Sequence, residues 1–182
     1  MFIELPTTKT CQESLTIHTH RIFPNDLNTY GALYGGKLMS ILDDVTSISA
    51  SRHCRRPIMT ASTDKLDFLH PLYENHSVCV ESYVSGTGHK SMEVFAKVIG
   101  ENIETGERYL AATCFMTFVV VKAEDDFKGI PQIIPETQEE IMISNGYEKR
   151  KAQRMHELAL NKELANHIST AIPWTKELGT GE

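Results

Sequence analysis

The sequence predicts an α+β protein, with one long helix laid across an antiparallel sheet and a C-terminal helical extension after it. Three observations predict this. One strand-like stretch is followed by a long segment of helical period, and four strand-like stretches then come in succession. The breaks between those later strands are short, as antiparallel neighbours allow. A single helix among so many strands must lie on a sheet face to bury its apolar stripe.

The elements follow in order. Residues 1–10 read as a loose N-terminal tail. Residues 14–23 (SLTIHTHRIF) alternate weakly and hold β-branched side chains, so they read as a strand. Pro24, Asn25 and Asp26 break it. A helix is expected over about 35–52, because Leu38, Ile41, Leu42, Val45 and Ile48 recur at helical spacing. Its end is basic, with Arg52, His53, Arg55 and Arg56. Such cations complement the helix dipole and could equally meet phosphates. Strands are expected over 58–69, 77–85, 91–100 and 108–122. The last is apolar on both faces and is therefore expected to be buried on both. Residues 86–89 (GTGH) and 104–107 (ETGE) read as the turns between them.

After Lys122 the composition changes. Residues 123–135 read as a linker, and Thr137-x-x-Glu140 fits a capping box that opens a short helix. Residues 147–167 read as a further helix with sparse apolar positions at Met155, Leu158 and Leu164. The organisation expected is a tail over 1–10, a main domain over 11–122, and a linker with helical extension over 123–182. The open sheet edge needs cover, which a dimer pairing sheets edge to edge would supply.

The bulk numbers exclude several classes. A chain of 182 residues is long enough for one domain with a real core. A formal net charge of −6 argues against a dedicated nucleic-acid binder. No window approaches the roughly 20 apolar residues of a membrane span, and the N-terminus does not read as a secretory signal. Cys11, Cys54, Cys79 and Cys114 are scattered without a CxxC pair, which suits a reducing cytoplasm. His18 and His20 share a strand face but lack a third ligand, so neither a metal nor another cofactor is expected.

The chemistry concentrates in residues 28–43, NTYGALYGGKLMSILD. Gly31, Gly35 and Gly36 permit sharp turns and close approach of a bound group. Gly35 and Gly36 open the helix, where free N–H groups attract the charge that develops on a carbonyl oxygen under attack. Asp43 lies two turns further in, on a small, partly polar stripe. A glycine pair of this kind also serves as a plain loop-to-helix joint, and Asp44 is the obvious competitor for any role of Asp43.

Read from Asp26 to Asp43, the segment resembles the signature of hotdog-fold acyl-CoA thioesterases, roughly D-x-N-x-x-G-x-x-x-G-G-x-x-M followed by a hydrophobic turn and an acid. It is most similar to the small cytosolic bacterial acyl-CoA hydrolases, which are related to the brain-type acyl-CoA hydrolases of animals. Phe68-Leu69-His70-Pro71, the run GHKSMEV at 88–94 and the end of the last strand extend the resemblance over about 10–122. It implies a hotdog fold, an antiparallel sheet wrapped around the central helix. It implies homodimers with active sites at the interface, often assembled further into hexamers as trimers of dimers. It places the functional asparagine at Asn28 and the acid at Asp43, contributed by different subunits. Tyr30 stands where the family commonly has Asn or another small residue, which bears on the shape of the acyl pocket.

The reaction implied is hydrolysis of fatty acyl-CoA to fatty acid and CoA. Asp43 would act as general base on water, or as a nucleophile through a mixed anhydride. The Gly36 N–H would stabilise the oxyanion, and Asn28 would hold the water or the thioester as both donor and acceptor. Gly35, Phe68 and Arg55, with Gly88, Lys90 and Ser91 of the 86–91 turn, are candidate substrate contacts. Leu42, Phe68, Met92 and Phe95 are candidate walls for the acyl chain. A second basic cluster, Lys149, Arg150, Lys151 and Arg154, could cover the nucleotide of CoA or be a solvated helix face. CoA is part of the substrate and product, so no cofactor is implied. Two other readings are an acyl-CoA-binding sensor without catalysis and a hydroxyacyl-thioester dehydratase. The dehydratase needs a His paired with an acid in the site.

Overall fold

The computed structural model describes residues 6–121 and 127–172. In chain order the elements are β1 (Thr8–Thr10), β2 (Thr16–Arg21), α1 (Gly35–Cys54), β3 (Ile58–Phe68), β4 (His76–Thr87), β5 (Ser91–Asn102), β6 (Arg108–Val120), β7 (Gln132–Ile134), α2 (Gln138–Asn145) and α3 (Tyr147–Ala165). Five strands form one antiparallel sheet in the order β2-β4-β5-β6-β3. The expected α+β architecture, a long helix on an antiparallel sheet with a C-terminal helix, is what the chain forms.

α1 buries Leu38, Ile41, Leu42 and Val45 against the sheet, where Val78, Val80, Val94, Val98, Cys114, Met116 and Phe118 meet them. The helical period breaks at Ile48, which is 45% exposed, while Thr46 and Ser49 are buried instead. Their hydroxyls find partners inside. Thr46 Oγ1 donates to Leu42 O at 2.6 Å, and Ser49 Oγ lies 2.7 Å from Ser82 Oγ and 2.9 Å from Thr16 Oγ1. Buried hydroxyls satisfied in this way cost little. The helix runs two residues beyond its expected end and stops at Arg55, whose φ of +49° is the left-handed cap.

The opposite sheet face is covered by α2. Tyr83 and Phe95 pack there with Cys11, Leu15, Ile133 and Ile143. Lys97 joins the layers by bridging Glu81 at 3.1 Å and Glu139 at 2.9 Å. The capping box at the start of α2 forms as expected: Glu140 N–H donates to Thr137 Oγ1, and Glu140 Oε2 accepts from Thr137 N–H. The reading of β6 as buried on both faces holds from Ala112 to Val120 on its α1 face, whereas Leu110 is exposed and Phe115 and Val119 on the other face are only half-buried.

Two segments read as loose are ordered. Thr8–Thr10 pairs in parallel with Gln132–Ile134. Backbone groups unpaired in either strand alone are satisfied by the other, and no local signal announces so distant a match. Residues 122–126, which include the start of the expected linker, lie outside the described residues, and Ile130 within the linker is buried in the main core. The chain divides into two units, Met1–Tyr147 and Glu148–Glu182. The first holds the sheet with α1 and α2, and ends on Tyr147, whose ring packs so closely over Gly86 that a Cβ there would lie 2.1 Å from it. The described part of the second is the rest of α3 and the turn after it, to residue 172.

Candidate active site

Residues 26–34 form a small hairpin ahead of α1. Asp26 O accepts from Tyr34 N–H at 2.8 Å, Asn28 N–H donates to Ala32 O at 2.7 Å, and Leu27 and Leu33 form an antiparallel bridge. Gly31 closes the turn with φ of +74°, a conformation that suits glycine. The Asn28 side chain completes the loop. Its Oδ1 accepts from Tyr30 N–H at 2.9 Å and Ala32 N–H at 3.2 Å. Two N–H donors on one amide atom identify it as the oxygen, so the acceptor half of Asn28 is already used. The expectation that Asn28 acts as both acceptor and donor is corrected: its Nδ2 alone remains to donate.

Asn28 lines a cleft of about 380 Å³ with Gly35, Leu38, Phe68 and His70. The N–H groups of Gly35 and Gly36 have no acceptor among the described residues, as the first turn of a helix dictates. A Cβ on Gly35 would touch the Phe68 ring at 3.6 Å, and one on Gly36 would press on Tyr34 at 2.7 Å. His70 was not among the expected site residues. Its Nδ1 donates to Leu110 O at 3.0 Å, leaving Nε2 as an acceptor. No carboxylate pairs with His70 among the described residues. His20 does pair with Asp26, at 3.4 Å, but neither lines this cleft or the next.

Asp43 lines a different cleft, of about 270 Å³, with Met39, Ser40, Leu42, Thr63, Leu66, Cys114 and Met116. Its carboxylate is half-buried, and Oδ1 accepts from Thr60 Oγ1–H at 2.8 Å. Thr60 was also missed, since one threonine in a polar strand start (MTAST) carries no signal. Oδ2 has no partner among the described residues and can take a proton. The cleft floor is Leu42, Cys114 and Met116, all 2% exposed or less. Burial pushes the Cys114 thiol up to about 12, so it is protonated and is no rival nucleophile at neutral pH. Asp44 is exposed.

Of the expected chain walls, Leu42 lines the Asp43 cleft and Phe68 the Asn28 cleft. Met92 belongs to the main core and Phe95 packs on the opposite face of the sheet, and neither lines either of these two clefts. Gly88, Lys90, Ser91 and Arg55 also line neither. Sheet register nonetheless brings the 86–91 turn to the Thr60 end, for Met92 opposes Phe118 and Phe118 opposes Thr60. Two strand spacings put Met92 about 10 Å from Thr60. Arg52 is committed to the fold, its guanidinium donating to Leu15 O and Thr16 Oγ1. Among the described residues no group of three His, Cys, Asp or Glu side chains is placed to hold a metal ion.

A model of the Thioesterase superfamily matches residues 30–107, which span both the Gly35–Gly36 helix start and Asp43. The chain is 49% identical over 172 residues to the uncharacterized acyl-CoA thioester hydrolase YkhA of Bacillus subtilis, covering 94% of this chain and 100% of that one. This chain belongs to the acyl-CoA thioester hydrolase family, and its fold is the hotdog. An acyl-CoA hydrolase from Bacillus cereus is similar in structure, with TM-score 0.84 and 44% identity over 89% of this chain and 99% of that one. An acyl-CoA hydrolase from Staphylococcus aureus, solved with butyryl coenzyme A and coenzyme A, gives TM-score 0.82 and 29% identity over 88% and 98%. That family member has also been solved as the mutants Asp43Ala, Thr60Ala and Asn28Ala. A hexameric acyl-CoA thioesterase gives TM-score 0.79 and 33% identity over 85% and 99%.

Proposed function

We propose that this chain hydrolyses fatty acyl-CoA thioesters at sites shared between two subunits. One observation carries the reading: in a single chain the base and the donors occupy separate clefts. Asp43, bonded by Thr60, lines one apolar cleft, while Asn28 and Gly35 line another. Each is half of a hydrolytic site, and a two-fold partner would complete both. The mutants named for the Staphylococcus aureus enzyme have the same residue types and numbers as Asp43, Thr60 and Asn28 here, which supports the assignment.

In the reaction, Asp43 Oδ2 takes a proton from water as the water oxygen bonds to the thioester carbonyl carbon. Thr60 fixes the other carboxylate oxygen and so aims the base. Asn28 Nδ2 and the N–H groups of Gly35 and Gly36 stabilise the oxyanion or hold the thioester. The C–S bond then breaks, and the CoA sulfur leaves with the proton returned by Asp43. The acyl chain lies along Met39, Leu42, Leu66 and Met116. Gly88, Lys90 and Ser91 meet the CoA arm, and Arg55 its phosphates. Four free cysteines suit a reducing cytoplasm. The test is steady-state hydrolysis of acyl-CoAs from acetyl to palmitoyl, followed by thiol release. Asp43→Asn is expected to lower kcat by about 10²–10⁴-fold, the usual contribution of a general base, with the fold intact. A near-normal kcat in Asp43→Asn together with a collapse in Asp44→Asn would reverse the assignment.

A further inference from the structure

The Asp26 side chain, at the base of the Asn28 loop, meets Phe23, His20 and Lys37. Its Oδ2 accepts from Phe23 N–H at 3.2 Å and lies 3.4 Å from His20 Nε2 on β2, and its Oδ1 lies 3.4 Å from Lys37 Nζ in the first turn of α1. Its main-chain oxygen accepts the N–H of Tyr34, the cap residue of α1. The bond from Phe23 N–H, with help from His20 and Lys37, holds the carboxyl below its usual range, so it is ionised at neutral pH. One anion thus joins β2, the hairpin base and the helix start.

The consequence falls on Asn28. The hairpin fixes its own shape through Asn28 Oδ1 and meets the helix cap through the backbone bond of Tyr34 N–H to Asp26 O, and the Asp26 carboxylate adds the side-chain ties to β2 and to Lys37 in the first turn of α1. Asn28 Nδ2 and the Gly35 and Gly36 N–H groups must point at one oxygen to act together. We propose that Asp26 is a positioning residue: it clamps the 26–34 hairpin onto the first turn of α1 and so sets the separation of the Asn28 amide from the helix N–H donors. This rests on the role given to Asn28 above. Asp26 lines neither cleft, so it acts through Asn28 and not on the substrate. A misplacement of about 1 Å is enough to cost a large factor in rate.

The test is a double-mutant cycle read alongside amide exchange. Asp26→Ala is expected to lower kcat by about 10-fold or more with KM nearly unchanged, the signature of a lost transition-state contact. Asp26→Asn keeps an acceptor for Phe23 N–H and is expected to restore part of the loss. In an Asn28→Ala background, Asp26→Ala should cost less than about 2-fold, because residues that act through one another are not additive. Hydrogen exchange at Tyr30 and Ala32 N–H should quicken in Asp26→Ala while β4 and β5 stay protected. Equal losses in both backgrounds would overturn the proposal, as would unchanged exchange at Tyr30 and Ala32. A normal kcat in Asn28→Ala would overturn it too. If the wild-type chain released thiol from no acyl-CoA, the functional reading would fall, and quickened exchange would still uphold the clamp.

Discussion

At Asp43 the physical question is how a carboxylate gains direction. The Thr60 hydroxyl occupies one oxygen, so the other is the one left to take a proton, and the floor below it is apolar. In the function proposed, the same floor would limit how far the acyl chain reaches. Cys114 and Met116 close the bottom, and Thr46 Oγ1 lies 3.2 Å from Met116 Sδ, which limits its movement. Met116→Phe is expected to shift the preferred acyl-CoA toward shorter chains, and Cys114→Ala toward longer ones. The ratio of kcat/KM for decanoyl- over butyryl-CoA measures both. Each methylene is worth roughly 0.8 kcal/mol of burial, about fourfold. An unchanged ratio in both variants would place the chain elsewhere.

Among the elements, the C-terminal end of α1 carries an unusual load. His53 is fully buried there, and its Nε2–H donates to Pro131 O at 2.8 Å, tying the strap that follows β6 to the helix. Its Nδ1 has no partner among the described residues. Lys9 from β1 faces the same place, donating to Arg52 O and His53 O at 3.0 Å each, with Glu13 also near. Burial holds the His53 imidazole below its ordinary 6.5, so it folds neutral. The unfolded chain therefore binds one more proton below about pH 6.5, and this site's contribution to stability is full above that pH and declines below it. The slope from this one group is at most about 1.4 kcal/mol per pH unit. His53→Gln keeps a donor for Pro131 O and removes the titration. Urea midpoints taken from pH 7.5 to 5 should therefore fall less steeply in His53→Gln than in wild type, and parallel curves would refute the account. Glu140 shows the opposite balance. Burial would raise its pKa, but the N–H groups of Thr137 and Glu136 and the Gln12 amide outweigh this and lower it, so the start of α2 stays capped by an anion.

Over the whole molecule, the division of the site predicts a dependence on assembly. β3, eleven residues long, pairs with β6 on one side and with no strand on the other among the described residues, and Met59 on it is 55% exposed. Such an edge invites a second copy. Asp43→Asn and Asn28→Ala chains, each nearly inactive, should regain activity when co-assembled, because a mixed dimer holds one site with both wild-type residues. Random pairing makes half the dimers mixed, with one good site of two, so about a quarter of wild-type activity is expected for a two-fold interface. Thiol release after co-expression measures it. Recovery near zero would mean that Asp43 and Asn28 serve one chain.

Much of this was legible in residues 28–43 alone. The helix start at Gly35, the acid two turns in and the asparagine ahead were each marked by local chemistry, and local chemistry is what a sequence displays. The run β4-β5-β6 was legible too, because antiparallel neighbours follow one another closely from 76 to 120, whereas the pairing of β2 with β4 and of β3 with β6 was not. By itself the sequence determined the long helix, the sheet strands and their succession along the chain, and it singled out Asn28 and Asp43 as candidates. Only the tertiary structure decided that Thr60 bonds Asp43, that His70 lies in the Asn28 cleft, that Thr8–Thr10 pairs with Gln132–Ile134, and that Asn28 has only its amide N–H left to give. Each of these depends on contacts between residues distant in the chain or on which lone pairs the fold has already used. Side-chain periodicity reports which face is buried, but it does not report what waits on the other side.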